Sequence, residues 1–575
     1  MPTPDASVKA AFRGRVLGPA TLGMVVACVA VVLGIHRESP FTLVSAHGLL
    51  HSAIVERFLI APWVFPPENP FFAGEPLAYY WIFHAMTAGL ASGLGIDPLR
   101  AIEFAVVLAM VGLVVLAAGL GRSTYGRVGF GLVIAFLVLA GAHAQAPLVL
   151  AWKVLRIGGL PLDDGTYLWG LVHPASEWMR LGDPYGKLGP LVNFYLNTTS
   201  RPLALTTLVG VMWALGATLR GKSKAWIALL LGTVLLSCWS PIIAIAAGAS
   251  LAGAVIVVAA GQRFGVARIS SDSSIAALPA CLALFGGLAL AFPTYAHLLS
   301  GGAGEGNGLF GGGLQAVLEQ GWGALASGWA LAGLAVLGWW RAPEPRRAEL
   351  AVFLVAAAPL LLATAVFVLP AGNFDNFHHA ALVLLALPAA GAIRASDGSV
   401  SRPLLCGVLL LFLPTLLLVL WTYTGRPSTE VGSRAGHLVQ IGGSRAVLYD
   451  WLRENSPADA VVVIDPGPPT RASQGNTAEL PALTGRTLWT ERAHHYIVSP
   501  YPEATARVEI AKQLSAGRSL SASQQARVVA LGRPVFVIVE GAAREAAEAR
   551  WGAPTVSSRE LALFRWKANG SPERF

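Results

Sequence analysis

Residues 66–84 read PPENPFFAGEPLAYYWIFH, a short polar stretch that runs directly into an apolar one. Pro66–Pro67 and Gly74–Pro76 predict turns, because proline and glycine fix the backbone dihedrals that turns require. The aromatic run Tyr79–Trp81 is typical of a chain that enters a membrane helix at the water interface. The stretch therefore predicts an ordered loop outside a bilayer, immediately before a hydrophobic segment.

The composition around this stretch is that of a membrane protein. Of the 575 residues, 54% are hydrophobic and only 13% are charged, about half the charged fraction of a soluble domain. Apolar runs recur at close to the ~20 residues that cross a bilayer as a helix. All four cysteines lie inside such runs, so they indicate packing and not a disulfide framework. The sequence predicts an α-helical polytopic membrane protein.

The net charge of +9 comes largely from short basic loops between apolar segments. Basic loops collect on the cytoplasmic side of membrane proteins, so the charge predicts orientation and not nucleic-acid binding. The predicted crossings are 18–35, 79–96, 102–120, 128–160, 202–219, 225–241, 242–260, 275–297, 323–340, 350–370, 380–394 and 402–424. A single crossing at 128–160 would put the following loop on the wrong side, so this stretch is predicted to cross twice. About thirteen spans result, with the N-terminus and Asp97 in the cytoplasm and the C-terminus outside.

The chain divides at residue 425 into two predicted domains. Residues 1–425 form the transmembrane domain, with a first outer loop at 36–78. Residues 426–575 carry more charge and predict a soluble outer α/β domain, because short apolar runs alternate there with amphipathic stretches. The predicted strands of this tail are 461–464, 535–539 and 561–564, and its predicted helices are 444–455, 501–515 and 543–550.

The first outer loop carries the densest group of chemical side chains. In SAHGLLHSAIVERFL (45–59), His47 and His51 share one face of a short helix. They face either a cavity or simply water. Glu68 and Glu75 follow on a backbone pinned by turns. His84 lies one turn inside an apolar segment, where a histidine faces a cavity or a partner more often than lipid.

Two later segments resemble the walls of a site. NFYLNTTSRP (193–202) places Asn197 and Arg201 at a helix entry, and NFDNFHH (373–379) places Asn376 and His378 at another. An arginine at such an entry holds a phosphate well, and amide or imidazole groups beside it hold sugar hydroxyls. The alternative for each segment is a solvated loop or an interface anchor.

These motifs resemble the GT-C superfamily of membrane glycosyltransferases. The string HGLLHSAIVERF followed by PPENPFFAGEPLAYYW is similar to members that carry a D-x-x-x-H helix and then PP-x-NP-x-x-AG-x-P-x-x-Y. The tail string YDWLRENSPADAVVVID is also similar to that group. The resemblance spans most of the chain and is sharp in 47–84. It departs at one position, since His47 stands where those enzymes carry an aspartate.

The resemblance implies an inverting transfer of a sugar from a polyprenyl-phosphate donor to a glycan, lipid or protein acceptor, in a bacterial or archaeal cytoplasmic membrane. A first-loop base takes the acceptor proton, and a divalent metal ion is an open possibility, with its ligands unknown. The predicted catalytic residues are His47, His51 and Glu75. The predicted substrate-binding residues are Glu56, Arg57, Glu68, Tyr80, His84, Asn197, Arg201, Asn376 and His378. Two alternatives stay open: a non-catalytic relative that binds a glycolipid or scaffolds an envelope complex, and a transporter or flippase for an amphiphile.

Overall fold

The computed structural model describes most of the chain as a helical bundle followed by a smaller sheet-containing tail. The described residues are 18–38, 46–145, 189–196, 199–264, 276–300, 308–309, 313–368, 373–424, 443–467, 479–493 and 497–567. The helices of the bundle are α1 (Pro19–Glu38), α2 (Ala46–Ile60), α3 (Ile82–Leu94), α4 (Pro98–Tyr125), α5 (Val128–Ala140), α6 (Val192–Leu196), α7 (Arg201–Leu219), α8 (Ala225–Trp239), α9 (Pro241–Arg263), α10 (Ala277–Ser300), α11 (Gly313–Arg341), α12 (Glu344–Val366), α13 (Asp375–Ala390) and α14 (Arg402–Thr424). A two-residue pair, β1 (Gly308–Leu309) with β2 (Phe367–Val368), is antiparallel.

Eight of the described helices are long and apolar enough to cross a membrane, namely α1, α4, α7 and α9 to α13. The shorter apolar helices α5, α8 and α14 belong to the same bundle. Helix α13 is buried along its whole length. Its backbone touches that of α11, since a Cβ at Gly338 would lie 1.9 Å from the Pro388 carbonyl oxygen. The predicted polytopic helical fold is confirmed, and α13 forms its centre.

Polar contacts mark one end of this bundle, which we call the basic end. Arg220, at the end of α7, pairs with Glu349 of α12 and donates to Ser123 Oγ of α4 at 2.7 Å. Arg346 completes the network through Glu349, with Nη1 and Oε2 3.1 Å apart. A buried carboxylate between two arginines is well compensated, so this network fixes three helices against one another.

The opposite end, which we call the tail end, holds its own buried polar contacts. His36 at the end of α1 lies 3.0 Å from Glu103, near the start of α4, and 3.0 Å from the Leu196 carbonyl oxygen. The first loop also contacts the tail here, where Arg57 donates to the Gly485 carbonyl at 3.5 Å. The first loop and the tail therefore share one end of the bundle, as the order of basic loops predicted.

Helix α3 does not cross the bundle, so the predicted crossing at 79–96 is wrong. Its 13 residues make it as short as α5, but both of its ends, unlike those of α5, lie at the tail end. It starts with His84 beside His51 of α2 and leads into Asp97, which caps α4 and acts electrostatically on Glu56. Asp97 thus lies at the tail end, whereas the sequence predicted it at the end opposite the tail. One face of α3, which includes Phe83, His84 and Ala88, is buried against the protein, and the opposite face is exposed.

Successive crossings must run alternately from one end of the bundle to the other. Because α3 is not a crossing, this alternation holds with a single crossing in 128–160. Helix α5 accounts for 128–140, and the remainder of that stretch from 146 onward lies outside the described residues. The conflict that the sequence raised at this stretch came from counting α3 as a span.

The tail contains a five-stranded mixed sheet in the order β4-β3-β5-β7-β6. Its elements are α15 (Gly443–Asn455), β3 (Val461–Val463), α16 (Glu479–Thr484), β4 (Thr487–Leu488), α17 (Ala504–Ser515), α18 (Ala522–Val529), β5 (Val535–Glu540), α19 (Ala543–Trp551), β6 (Val556–Ser557) and β7 (Leu561–Trp566). Strands β4, β3 and β5 are parallel, and β7 is antiparallel to both β5 and β6. The three predicted strands and three predicted helices all occur. The two-residue strands β4 and β6 are too short to give a periodic signal.

Candidate functional site

The first loop lies against the open edge of the tail sheet. Leu488 of β4 donates its N–H to the Pro70 carbonyl at 2.9 Å and accepts from the Ala73 N–H at 2.9 Å, and the Glu491 N–H donates to the Phe71 carbonyl at 3.0 Å. Residues 70–73 thus cover an edge that would otherwise present unpaired backbone groups. Residues 70–73 therefore attach the tail to the bundle.

A cluster of charges holds this contact, and we call it the first-loop clamp: Arg57, Glu68, Gly74 and Arg533. Arg57 Nη2 lies 2.5 Å from Glu68 Oε2, Gly74 N–H donates to Oε1 at 2.8 Å, and Arg533 pairs with the same carboxylate. Gly74 has φ +83°, and a Cβ there would lie 2.8 Å from Leu531. Only glycine fits that turn.

The titration of Glu68 follows from this environment. Burial alone would raise the pKa of its carboxyl group, but Arg57, the Gly74 N–H and Arg533 outweigh burial and hold the pKa below its usual range. Glu68 is therefore ionised at neutral pH, with both oxygens occupied. Such a carboxylate is suited to holding structure together.

Aromatic side chains extend the clamp. Arg507 lies over the Phe72 ring at 4.0 Å and donates to the Ala73 carbonyl at 2.6 Å. Tyr501 stacks on Phe72 with centroids 4.6 Å apart and donates to the Pro76 carbonyl at 2.5 Å. Glu75 lies on this side too, since its charge acts on Arg507 and Tyr501. The tail thus contacts the first loop on both sides of the Gly74 turn.

A second polar layer lies inside the tail end of the bundle, and we call it the bundle mouth: His51, Tyr79, Tyr80, His84, Arg201, Asn373 and Asp375. His51 Nδ1 and His84 Nε2 are 2.7 Å apart, and both side chains are fully buried. The Tyr80 ring lies 5.9 Å from that of His84, and the Tyr79 hydroxyl donates to that of Tyr80 at 2.5 Å. Imidazole and phenol groups therefore form one continuous set.

Arg201 forms the charged part of the bundle mouth. Its Nη1 lies 2.6 Å from Asp375 Oδ2, and its Nη2 donates to Asn373 Oδ1 at 3.3 Å. The guanidinium lies 4.7 Å over the Phe194 ring and within electrostatic reach of Tyr79 and Tyr80. The Arg201 side chain is 18% exposed, whereas that of Asp375 is 1% exposed. The Arg201 side chain is therefore partly exposed, and the buried carboxylate fixes the orientation of its guanidinium.

Two helices begin at this arginine. Arg201 is the first residue of α7, and Asp375 is the first residue of α13. The N-terminus of a helix carries unpaired N–H groups and a partial positive charge, so two such termini favour an anion. His378 lies one turn further along α13, fully buried, with Nε2 3.0 Å from Ser327 Oγ and no partner for Nδ1 in the described part of the chain.

The structure brings some of the predicted site residues together and separates others. His51, Tyr80, His84 and Arg201 meet in the bundle mouth. Arg57 and Glu68 form the first-loop clamp, and Glu56 lies near Arg453 and Arg486 of the tail, where burial raises its pKa to about 7. Asn376 donates to the Asn373 carbonyl at 2.9 Å and so shapes the start of α13. The side chain of His47 and all of Asn197 lie outside the described residues.

The sequence did not single out Asp375, Tyr79 or His379. His379 stacks against Phe194 with centroids 4.4 Å apart, beside Arg201. The NFDNFHH segment contained the signal for Asp375, but pairing it with an arginine 174 residues away needs the fold. In the described residues, no three His, Cys, Asp or Glu side chains gather as a metal site.

Comparison with known proteins gives a family model and a set of distant structures. The model described as "Uncharacterized membrane protein (DUF2298)" matches residues 47–161. No curated protein matches the chain. ArnT from Cupriavidus metallidurans, bound to undecaprenyl phosphate, is 12% identical with a TM-score of 0.49, covering 96% of this chain and 99% of ArnT.

Two further solved structures are similar at comparable distance. The oligosaccharyltransferase of Archaeoglobus fulgidus is 12% identical with a TM-score of 0.41, covering 90% of this chain and 69% of that one. The arabinofuranosyltransferase AftD from Mycobacteria is 16% identical with a TM-score of 0.42, covering 90% of this chain and 36% of that one. All three structures share 16% or less of their sequence with this chain, at TM-scores below 0.5.

Proposed function

We propose that this protein is a membrane glycosyltransferase that moves a sugar from a polyprenyl-phosphate donor to an acceptor at the tail end of the bundle. The observation that carries the proposal is Arg201, a partly exposed cation held by the buried Asp375 at the start of two helices. The resemblance of residues 47–84 to GT-C enzymes supports the sugar and the lipid carrier. The proposal includes hexose and pentose donors, and glycan, lipid and protein acceptors.

Arg201 is proposed to hold the phosphate of the donor. Guanidinium groups bind phosphate through paired, charge-assisted hydrogen bonds, and these strengthen as the leaving phosphate gains negative charge. The apolar helices around the mouth suit the polyprenyl chain, and Arg201 lies where two of them, α7 and α13, begin. Asn373 and Asn376 beside it suit sugar hydroxyls.

His51 is proposed as the base that takes the proton of the acceptor hydroxyl. Of the three predicted candidates, His47 has an undescribed side chain and Glu75 lies against the tail, whereas His51 lies in the layer that contains Arg201. An imidazole suits proton transfer near neutral pH. Burial lowers the pKa of His84 to about 3, so His84 stays neutral and orients the His51 ring through the contact between His51 Nδ1 and His84 Nε2.

The proposed orientation places the N-terminus in the cytoplasm and the tail outside a bacterial or archaeal cytoplasmic membrane. It rests on the basic end, where short loops carry the arginines, lying opposite the tail. A cysteine placed at Ser519 is expected to react with an impermeant thiol reagent in intact spheroplasts. Labelling only after lysis would reverse the orientation.

The central test is release of lipid phosphate from labelled polyprenyl-phosphate sugars by the purified protein. We expect the double variant Arg201→Gln/Asp375→Asn to fold, because it removes both charges of the buried pair together, and to lose transfer by about 10²–10³-fold. The matched control is Arg544→Gln/Glu548→Gln, an ion pair on the tail surface, which is expected to transfer normally. Full activity of the Arg201 double variant would refute the phosphate role. No turnover of any lipid-linked sugar by the wild type would leave a non-catalytic glycolipid-binding protein.

A further inference from the structure

His36 connects three helices at the tail end, and no step of the proposed transfer uses it. Its Nδ1 lies 3.0 Å from Glu103 Oε1 of α4, and its Nε2 lies 3.0 Å from the carbonyl oxygen of Leu196, the last residue of α6. The His36 side chain is buried. A histidine near the end of α1 therefore joins α1 to α4 and to α6 through its two ring nitrogens.

Both oxygens that contact this ring are hydrogen-bond acceptors. A carbonyl oxygen only accepts. Arg100 Nη1 lies 2.6 Å from Glu103 Oε2 and stabilises the ionised form of that carboxyl group, which also only accepts. A neutral imidazole has one N–H and one lone pair, so it would place the lone pair against one of the two oxygens. The geometry therefore favours the imidazolium form of His36, in which both nitrogens donate.

The helices around His36 present few other titratable groups. Glu103 and, through it, Arg100 are the charged side chains of α4 that face the ring. On α6 the residue before Leu196 is Tyr195, a phenol. Helices α5 and α14 also pack on α1, and α5 has no titratable side chain. The titratable side chains that the structure describes on α14 lie in its first two turns, namely Arg402 and Cys406. The ion pair with Glu103 is therefore the interaction that keeps the second proton on the ring.

Helix α6 carries the aromatic ring that faces Arg201. The guanidinium carbon of Arg201 lies 4.7 Å from the centre of the Phe194 ring, and the His379 ring lies 4.4 Å from it between centroids. His36 holds the Leu196 carbonyl, two residues further along the same short helix. We propose that His36 is a positioning residue that, in its doubly protonated form, anchors α6 and so holds Phe194 against Arg201.

The proton on His36 is thereby linked to the proposed phosphate site, and this consequence rests on the proposed function. As the pH rises, the ring loses one proton, and one of the two oxygens then faces a lone pair. The anchor of α6 weakens, and Phe194 no longer holds the guanidinium by the cation–π contact. We expect the affinity for the donor to fall about three- to tenfold as the pH rises.

The anchor is tested by solid-state NMR of the full-length protein in lipid bilayers, with labelled histidine, phenylalanine and arginine, from about pH 5 to about pH 9. At low pH we expect two protonated nitrogens on His36 and a cross-peak between the Phe194 ring and the Arg201 guanidinium, which weakens when the ring loses a proton. His36→Gln identifies the His36 signal, and it is expected to weaken the cross-peak at every pH. Arg37→Gln, at the exposed neighbouring position, is the matched control and is expected to keep the wild-type spectrum.

Two results would overturn the anchor. One is a neutral His36 ring at about pH 5, and the other is an unchanged cross-peak in His36→Gln. If that variant does not fold, the wild type decides, because a cross-peak that persists after the ring has lost a proton contradicts the proposal.

Binding separates this inference from the proposed function. The probe is polyprenyl-phosphate glucose, a phosphodiester whose charge is constant over the same pH range, and its affinity is measured with the protein in nanodiscs. The wild-type affinity is expected to fall about three- to tenfold more with pH than that of His36→Gln. Equal affinity in Arg201→Gln/Asp375→Asn and the wild type would refute the phosphate role and leave the NMR result to judge the anchor. Binding that needs Arg201 but has the same pH profile in His36→Gln and the wild type would refute the link from His36.

Discussion

The first-loop clamp and the bundle mouth each pair an arginine with a carboxylate, but they use the pair differently. In the clamp, Glu68 accepts from Arg57, Arg533 and the Gly74 N–H, so its oxygens are fully engaged. In the mouth, Asp375 is buried behind Arg201, whose side chain is partly exposed and also donates to Asn373. A closed network holds two parts of the chain together, whereas a partly exposed, oriented cation suits a ligand.

Loss of the proposed base should produce the largest effect and sharpen the comparison most. His51→Gln keeps a hydrogen-bonding partner for His84, so the fold is expected to survive, while transfer falls by about 10²–10⁴-fold. The measurement is the rate of lipid-phosphate release at saturating donor. Glu75→Gln and His47→Ala are the comparison variants. A collapse of activity in Glu75→Gln with full activity in His51→Gln would move the base to the clamp side.

Neutralising the clamp should destabilise the protein without touching the mouth. Glu68→Gln leaves Arg57, whose side chain is 8% exposed, without its charged partner, and about 3 kcal/mol of stability is expected to be lost. Thermal unfolding and limited proteolysis of the tail measure this. Glu509→Gln, whose carboxylate is 57% exposed, is the control and is expected to change stability by less than about 0.5 kcal/mol. An unchanged midpoint in Glu68→Gln would mean that the clamp does not hold the tail.

The buried Glu491 gives a pH-dependent test of the same contact. Burial raises the pKa of Glu491 to about 7, more than Arg492 lowers it. The folded state therefore binds a proton that the unfolded state has released between about pH 4.5 and pH 7, so stability falls as pH rises through this window. Glu491→Gln is expected to match the wild type near pH 4.5 and to be more stable by about 2 kcal/mol at pH 8. A constant difference across pH would contradict the assignment.

The smallest effect belongs to the ion pair on the tail surface. Arg544 and Glu548 are over a third exposed, so their removal is expected to change the free energy of unfolding by less than about 0.5 kcal/mol. Chemical denaturation of the double variant measures it. A loss approaching that of Glu68→Gln would mean that solvent exposure is a poor guide to which pairs hold this fold together.

The sequence predicted the elements better than it predicted their roles. The sequence predicted the strands at 461–464, 535–539 and 561–564 correctly, because short apolar runs between amphipathic helices are typical of buried strands. Helix α3 was wrongly predicted to be a membrane crossing, because an apolar segment has the same composition whether protein or lipid surrounds it. Glu68 and Arg201 both looked like site residues, and only the partners contributed by distant segments distinguish them.

The pairing of residues 70–73 with β4 also sets an order of events during synthesis. Pro70 emerges from the ribosome about 400 residues before Leu488, and at about 5–20 residues per second the wait is roughly 20–80 s. Throughout that interval Phe71 and Phe72, both buried in the finished protein, lack the surface that covers them. The bundle is therefore inserted in the membrane before its first loop can pair with β4. A chain that terminates before β4 would leave Phe71 and Phe72 uncovered. Exposed apolar side chains of this kind are bound by chaperones and cleaved by proteases.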